Sequence, residues 1–438
     1  MSSAPQEIRI ISASAKPTKV RNFILFLVCL ATFINYLDRA NLAVAAPVLS
    51  KSLGITPARM GLIFAAFGWS YTLMQVPVSW LIDRFGPRVL YGIAVIGWSA
   101  FTGCIGLASG FAALIGCRLG LGVFEAPAFP INSRVCTAWF PSHERGWAIG
   151  LYTGAEYVGL AFCTPILVWL MVTWGWPAIF FVSGALGILL GAAWYGWYRD
   201  PKNHEGVNQA ELDYIKQGGG LGDTVAESKR VRWAEAKHLF KHRSLWGMYI
   251  GQFANTSTLF FFMTWFPSYL VTEKHMALLK IGIYGAVPYM AAIAGVLVGG
   301  WWSDWMLRRG YSTSLSRKLP TITGLLLSCS IIGANYTNNF NIVIGFMSVA
   351  FFGQGIASAI AWALLSDIAP REMVGTTSGV FNFSANLGGT TSPMVVGFIV
   401  GATHSFTNAL VYAACVALVG ALSYIFIVGD CKRVEITH

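Results

Sequence analysis

The chain repeats one pattern of hydropathy from end to end. Apolar runs of about 20 residues or more, the length that spans the hydrocarbon core of a bilayer, alternate with short polar breaks. Twelve such runs can be drawn, at approximately 22–48, 60–82, 88–108, 111–134, 146–172, 176–198, 245–271, 280–303, 319–336, 340–364, 374–401 and 406–428. No soluble core has room for that many. Charged residues make up only 11% of the 438, less than half the roughly 25% of soluble domains. The expected fold is an all-α polytopic membrane protein with twelve transmembrane helices, and a lipid bilayer is its first partner.

One polar interruption is long. Residues 199–244 open with Arg199-Asp200-Pro201, contain Gly218-Gly219-Gly220 and carry charges of both signs, which describes a solvated linker with a short helix at Gln209–Gln217. The chain then divides into a tail (1–21), a six-span bundle (22–198), the linker (199–244), a second six-span bundle (245–428) and a closing tail (429–438). The halves echo one another. Ser79-Trp-Leu-Ile-Asp83-Arg84-Phe-Gly-Pro-Arg88 follows span 2, and Gly300-Trp-Trp-Ser-Asp304-Trp-Met-Leu-Arg-Arg309 follows span 8. Pro141 and Gly146 after span 4 are matched by Pro370 and Gly375 after span 10. A repeat of half the chain predicts two pseudo-symmetric six-helix bundles with a ligand site between them, the architecture of a secondary transporter. With both tails cytoplasmic, inner segments hold 24 of the 30 Lys and Arg, and the outer loops hold only Lys51, Arg59, Lys274 and Lys280. Both termini are therefore expected to be cytoplasmic. The net charge of +11 is accounted for by those loops, and the continuous basic surface of nucleic-acid binders is absent.

Four charges break the apolar pattern of the first half. Asp38 and Arg39 lie in the middle of span 1, where a charge costs on the order of 3 kcal/mol on insertion scales and is usually functional. Being adjacent, they point about 100° apart and cannot pair cleanly, so each needs a partner on another helix or a ligand. Span 4 holds Arg118 and Glu125, two turns apart on one face and about 10 Å apart along the axis. A structural quartet of two acids and two bases is one reading. Proton coupling is the other: a carboxylate whose Arg partner is claimed by a substrate anion is free to take up a proton. In the second half the mid-span groups are uncharged: Gln252, Asn255, Thr256 and Thr258 on span 7, Gln354 and Trp362 on span 10, Asn382, Ser384 and Asn386 on span 11. Such groups bond hydroxyls and cannot move protons. The halves thus divide the work into acid recognition with protons and polyol recognition.

The stretch Leu81-Ile-Asp-Arg-Phe-Gly-Pro-Arg88 resembles the signature loop of the major facilitator superfamily, with Ser79 in place of the usual first Gly and Pro87 in place of a basic residue. Tyr36-Leu-Asp-Arg-Ala-Asn-Leu42, Phe124-Glu-Ala-Pro-Ala-Phe-Pro130 and Thr264-Trp-Phe-Pro267 are similar to its anion:cation symporter branch, and within it to bacterial sugar-acid:proton symporters of the D-galactonate type. The similarity extends through Glu211-Leu-Asp-Tyr-Ile215 and Val428-Gly-Asp-Cys-Lys-Arg433. The resemblance implies a symporter of the bacterial inner membrane that imports a sugar-acid anion with protons and works as a monomer. It implies Asp38 and Glu125 as proton sites, Arg118 as the internal partner of Glu125, and Arg39 as the contact to the substrate carboxylate, a role that suits the planar fork of a guanidinium. Tyr36 and Tyr71 match substrate contacts, while Asp83, Arg84, Arg88 and Asp304 match gating loops.

Glu156 on span 5 departs from that pattern. It sits between small residues in Thr153-Gly-Ala-Glu-Tyr-Val-Gly159, where backbones or a ligand approach closely, and D-galactonate-type symporters carry Gln there. A carboxylate would repel a second acidic end on the substrate. The expectation is a monocarboxylate whose hydroxyls face Glu156, or a third titrating group, with a helix-packing acid left open. No P-loop, HExxH or GxSxG pattern occurs, the seven His lie in loops or the tail, and the eight Cys include no CxxC. Neither cofactor, metal nor enzyme activity is expected. The rival readings are a symporter for a hexarate (glucarate or galactarate), a hexuronate or another organic acid, and a membrane sensor, for which 199–244 is too short to hold an output domain.

Overall fold

The computed structural model describes residues 16–220, 240–370, 373–431 and 433. Parts of the expected tails and linker (1–15, 221–239, 432 and 434–438), and residues 371–372 of the second Pro–Gly loop, lie outside the described residues. No strand occurs among those described.

Span 1 is one helix, Val20–Leu53, closed by Gly54 at φ 63, the left-handed turn that glycine takes without steric cost. Spans 2 and 3 are the arms of a helical stretch, Pro57–Ile105, that breaks at Gly86 (φ 71) inside the signature loop. Span 4 restarts after Glu125, as Phe111–Glu125 and then Ala128–Trp139, because Pro127 supplies no N–H to continue the first piece. Span 5 (Ser142–Trp174) turns into span 6 (Trp176–Trp197) at Gly175. In the second half, span 7 is Arg243–Thr264 continued by Phe266–Thr272, and span 8 is Leu278–Tyr284 continued by Ala286–Arg308. Span 9 (Thr313–Ser328) tightens into the 3₁₀ segment Cys329–Tyr336. Spans 10 (Phe340–Ile368) and 11 (Val374–Thr403) are unbroken, and span 12 (Thr407–Leu422) ends in a π-turn, Ser423–Ile427. Among the described residues, nine helices are long and apolar enough to cross a membrane on that ground alone. Spans 2, 7 and 11 complete the twelve. They carry polar groups such as Gln75, Gln252 and Asn382.

The linker helix, Gln209–Gln217, is capped by Asn208 and packs under the first bundle. Its fully buried Glu211 accepts from the backbone N–H groups of Val20 (3.0 Å) and Arg21 (3.2 Å), from Arg21 Nη1 (3.2 Å) and from the Thr18 hydroxyl (2.5 Å). Arg21 Nε also reaches Glu144 at the start of span 5 (3.3 Å), to which the Tyr214 hydroxyl donates (2.5 Å). That second bond pushes the Tyr214 phenol above its usual value, since the proton must stay on to donate. The linker thus fixes the entry of spans 1 and 5, which carry Arg39 and Glu156.

By topology, the described chain ends and the linker helix share one end of the molecule, the linker end. At the opposite, far end the two halves are shut against each other by glycine. A Cβ on Gly61 of span 2 would stand 2.8 Å from the Pro393 carbonyl oxygen of span 11, and one on Gly397 would stand 2.8 Å from the Gly61 Cα. Phe64 meets Trp265 of span 7 edge-on at 5.5 Å, and Trp265 Nε1 donates to the Pro393 carbonyl at 2.9 Å. Spans 5 and 8 close likewise, with Gly282 so near span 5 that its Cβ would lie 3.2 Å from the Pro165 Cα. The same helix faces part at the linker end. Gly379 lies five turns below Gly397 on one face of span 11, and Gly154 three turns below Pro165 on span 5; a Cβ on either would meet nothing within 4 Å. The apolar core follows this shape: one cluster joins the first bundle to the far-end part of the second, and a separate cluster fills the linker end of the second.

Candidate functional site

Arg39 of span 1 is held within the first bundle, among side chains of spans 1, 2 and 4. Its Nε donates to Glu125 Oε2 at 2.9 Å, with Glu125 fully buried and Arg39 nearly so. The guanidinium is packed among three rings, 4.8 Å from the centroid of Tyr36, 4.9 Å from Phe67 and 5.2 Å from Tyr71. Desolvated cation–π contacts of this kind help offset the cost of burying a charge. Arg39 Nη2 and Glu125 Oε1 have no hydrogen-bond partner, so the pair is made through one edge of each group only.

Arg118 does not take the place expected of it. It is 3% exposed, its Nε and Nη1 are unpaired, and its guanidinium lies over the same Phe67 ring, 4.8 Å from the centroid. In this conformation Glu125 pairs with Arg39 of span 1 rather than with Arg118. The reason is geometric: Arg118 and Glu125 share a helix two turns apart, whereas Arg39 comes in across the helix gap and meets the carboxylate directly. Asp38 is buried without an ion pair. Its Oδ1 accepts from Asn41 Nδ2 (3.3 Å), the hydroxyls of Ser183 and Thr102 stand close by, and Oδ2 is unpaired. Asp38 and Arg39 do not pair with each other, as their spacing required.

Glu156 is half-buried and lies beside Tyr36, with the Tyr36 hydroxyl within hydrogen-bond reach and the Arg39 charge near. Tyr36 therefore stands between the cation, over its ring face, and the Glu156 carboxylate. From the second half, Gln252, Asn255 and Gln354 are buried with unpaired amide atoms, on spans 7 and 10. Asn382 is half-buried, and Asn386 is tied back by donating to the Asn382 carbonyl at 3.0 Å. Trp362 is 47% exposed with the Phe381 ring edge-on at 5.1 Å. Ser384 donates to the Tyr249 carbonyl at 2.6 Å and so serves helix packing. The sequence reading passed over Thr72 and Gln75 beside Tyr71, both with unpaired buried atoms, and Tyr157, whose hydroxyl comes within reach of Ser358 on span 10. Gln75 was findable, one helical turn from Tyr71; Tyr157 carried no signal beyond its neighbour Glu156.

The loop residues expected to gate hold their own bundles together. Asp83 pairs with Arg134 at 2.7 Å, Arg84 covers the rings of Trp80 and Phe85, and Arg88 donates to the Tyr195 carbonyl at 3.1 Å. Asp304 lies 3.7 Å from Arg317, which also reaches Asp367 at 3.2 Å. Among the described residues, the ion pairs found at this end join no residue of one half to the other.

Comparison with known proteins agrees with this architecture. The Major Facilitator Superfamily profile matches residues 28–393. The chain belongs to the Major Facilitator Superfamily. This superfamily member is 49% identical over 425 residues to the D-galactonate transporter of Escherichia coli O6:H1, covering 96% of this chain and 98% of that protein. It is 42% identical to the probable galactarate/D-glucarate transporter GudP of Bacillus subtilis, covering 97% and 95%. In fold it matches the crystal structure of a bacterial homologue of the human lysosomal transporter Spinster, with a TM-score of 0.72 at 19% identity over 94% of this chain and 95% of that one. It is a multi-pass membrane transporter and not an enzyme.

Proposed function

We propose that the protein is a proton-coupled symporter that imports a sugar-acid anion, a D-galactonate-like aldonate, by rocking its two bundles about the central site. The observation that carries this reading is the half-used fork of Arg39: Nε is held by Glu125, and Nη2 is buried without a partner. A substrate carboxylate docking on that free edge competes with Glu125 for the cation, and Glu125, released, takes a proton. Anion and proton then favour each other's binding, which is the thermodynamic requirement for coupling. Asp38 is the second proton site, and Arg118 is the cation to which Glu125 turns in the alternate state. Gln252, Asn255, Gln354 and Asn382 supply hydrogen bonds to the polyol. The Glu156 carboxylate beside Tyr36 disfavours a second acidic end, which supports an aldonate, and so does the 49% identity to a D-galactonate transporter. Relatives at 39–42% identity named for galactarate and D-glucarate support hexarates as the second reading. In a bacterial inner membrane, with the linker end and both termini cytoplasmic and a monomer as the working unit, the conformation described is inward-facing.

The test is uptake of labelled D-galactonate by reconstituted protein under an imposed inward proton gradient, with unlabelled gluconate, glucuronate, galactarate and glucarate as competitors. Accumulation blocked by aldonates is expected. Competition by the hexarates without galactonate uptake would transfer the reading to them. Glu125→Gln is expected to abolish accumulation on the gradient while substrate exchange persists, and a variant that still accumulates would remove Glu125 from coupling.

A further inference from the structure

Asp38 and Glu125 are 1% and 0% exposed. Glu125 is covered by Arg39, which is itself packed on three rings, and Asp38 is enclosed with Asn41, Ser183 and Thr102. From there, polar groups continue through the interior of the first bundle toward the linker end. Asn35, one turn below Asp38 on span 1, lies close to Glu125 yet has both amide atoms unpaired. Thr32, about 9 Å below Asp38 along the helix, accepts from Asn132 Nδ2 at 3.0 Å. The Asn132 amide stands beside the Tyr91 hydroxyl, and both Asn132 Oδ1 and the Tyr91 hydroxyl are unpaired. All four side chains are at most 2% exposed. Tyr91 packs on Trp194 (4.8 Å), Trp194 stacks on Tyr198 (4.4 Å), and the Tyr198 hydroxyl donates at 3.2 Å to Asp200, which is exposed at the linker end. A buried polar atom without a partner costs about 1–3 kcal/mol, and in folded proteins such atoms are met by bound water.

We propose that the first bundle holds an internal file of bound waters, strung along Asn35, Thr32, Asn132 and Tyr91, that carries the coupled proton between Asp38 or Glu125 and the linker-end surface without entering the substrate cavity. The proposal rests on the proton coupling argued above. In the release step the carboxyl O–H bond of Asp38 or Glu125 breaks toward the first water. Each water passes on a proton it already held, the last, beside Tyr91, gives one to bulk solvent at the linker end, and an ionised carboxylate remains. No electrons change hands. Substrate and proton then leave by different doors, and Arg39 can re-form its bond to Glu125 as soon as the acid is ionised.

Two measurements test it. Radiolytic hydroxyl-radical footprinting of the wild-type protein labels side chains that touch bound water even where bulk solvent does not reach. Tyr91 is expected to label several-fold faster than Phe180 and Phe261, which are equally buried but apolar; equal labelling would show a dry interior and overturn the file. In vesicles, Tyr91→Phe and Thr32→Val, both close to isosteric, are expected to slow gradient-driven uptake about tenfold relative to substrate exchange, one hydrogen bond's worth of barrier, with Thr32→Ser restoring it. Uptake and exchange falling in parallel, or neither changing, would overturn the route. Wild-type protein that exchanges substrate but never accumulates it on a proton gradient would sink the coupling itself and the route with it, while the footprint would still report the waters.

Discussion

Arg39 survives inside the membrane because its charge is shared among one carboxylate edge and three ring faces. Tyr36 stands between that arrangement and Glu156, so the residue proposed to set specificity and those proposed for coupling neighbour one phenol. Glu156→Gln keeps the shape and removes the charge. It is expected to leave D-galactonate uptake in place and to raise competition by galactarate, since the repulsion against a second carboxylate is gone; competition curves that do not move would leave Glu156 a packing residue. The four charges of this site were legible in the sequence because each interrupts an apolar run at a cost that demands a reason. Their pairing was not. Whether Glu125 meets Arg118 or Arg39 depends on how spans 1 and 4 approach, which no spacing within one helix records. Thr72 and Tyr157 are illegible for a different reason: a lone neutral polar group in a helix costs little, so it leaves little mark in the pattern.

At the scale of elements, the linker helix has the clearest structural duty. Glu211 caps the first turn of span 1 from a segment 190 residues away and neutralises Arg21 in a buried setting. Glu211→Ala leaves two backbone donors and a guanidinium without their acceptor, a loss of about 2–3 kcal/mol. A lower melting temperature in detergent is expected, whereas Asp304→Asn, at an exposed and longer contact, should change little. An equal Tm for both would mean that the linker helix does not stabilise the bundle. The existence and order of the spans could be read from hydropathy, and the linker helix from its amphipathic stretch. The breaks in spans 4, 7 and 8 could not. Pro47 and Pro165 sit inside continuous helices, so a proline in the sequence does not by itself say whether neighbouring helices will tolerate a kink or force a restart.

At the scale of the whole molecule, the internal repeat told of two bundles but not of which end they close. That information lies in pairs of glycines from opposite halves, Gly61 with Gly397 above all. Gly68 faces Thr390 with no room for a side chain, so Gly68→Val is expected to hold the far end apart. Spin labels at Lys51, in the last turn of span 1, and Lys274, after span 7, both at the far end, should then report a longer distance than in the parent protein, and substrate exchange should slow; an unchanged distance would mean the contact is not what shuts the gate. The composition of this gate also sets the thermal cost of using it. Freezing a long side chain at a closing surface costs about 1.5–2 kcal/mol of rotamer entropy, while glycine and proline have none to lose. Where backbone meets backbone, as at Gly61 and Gly397, the closing surface surrenders almost no side-chain disorder each time it shuts and regains almost none when it opens; the rings of Phe64 and Trp265 are the part of the far end that has rotamers to lose.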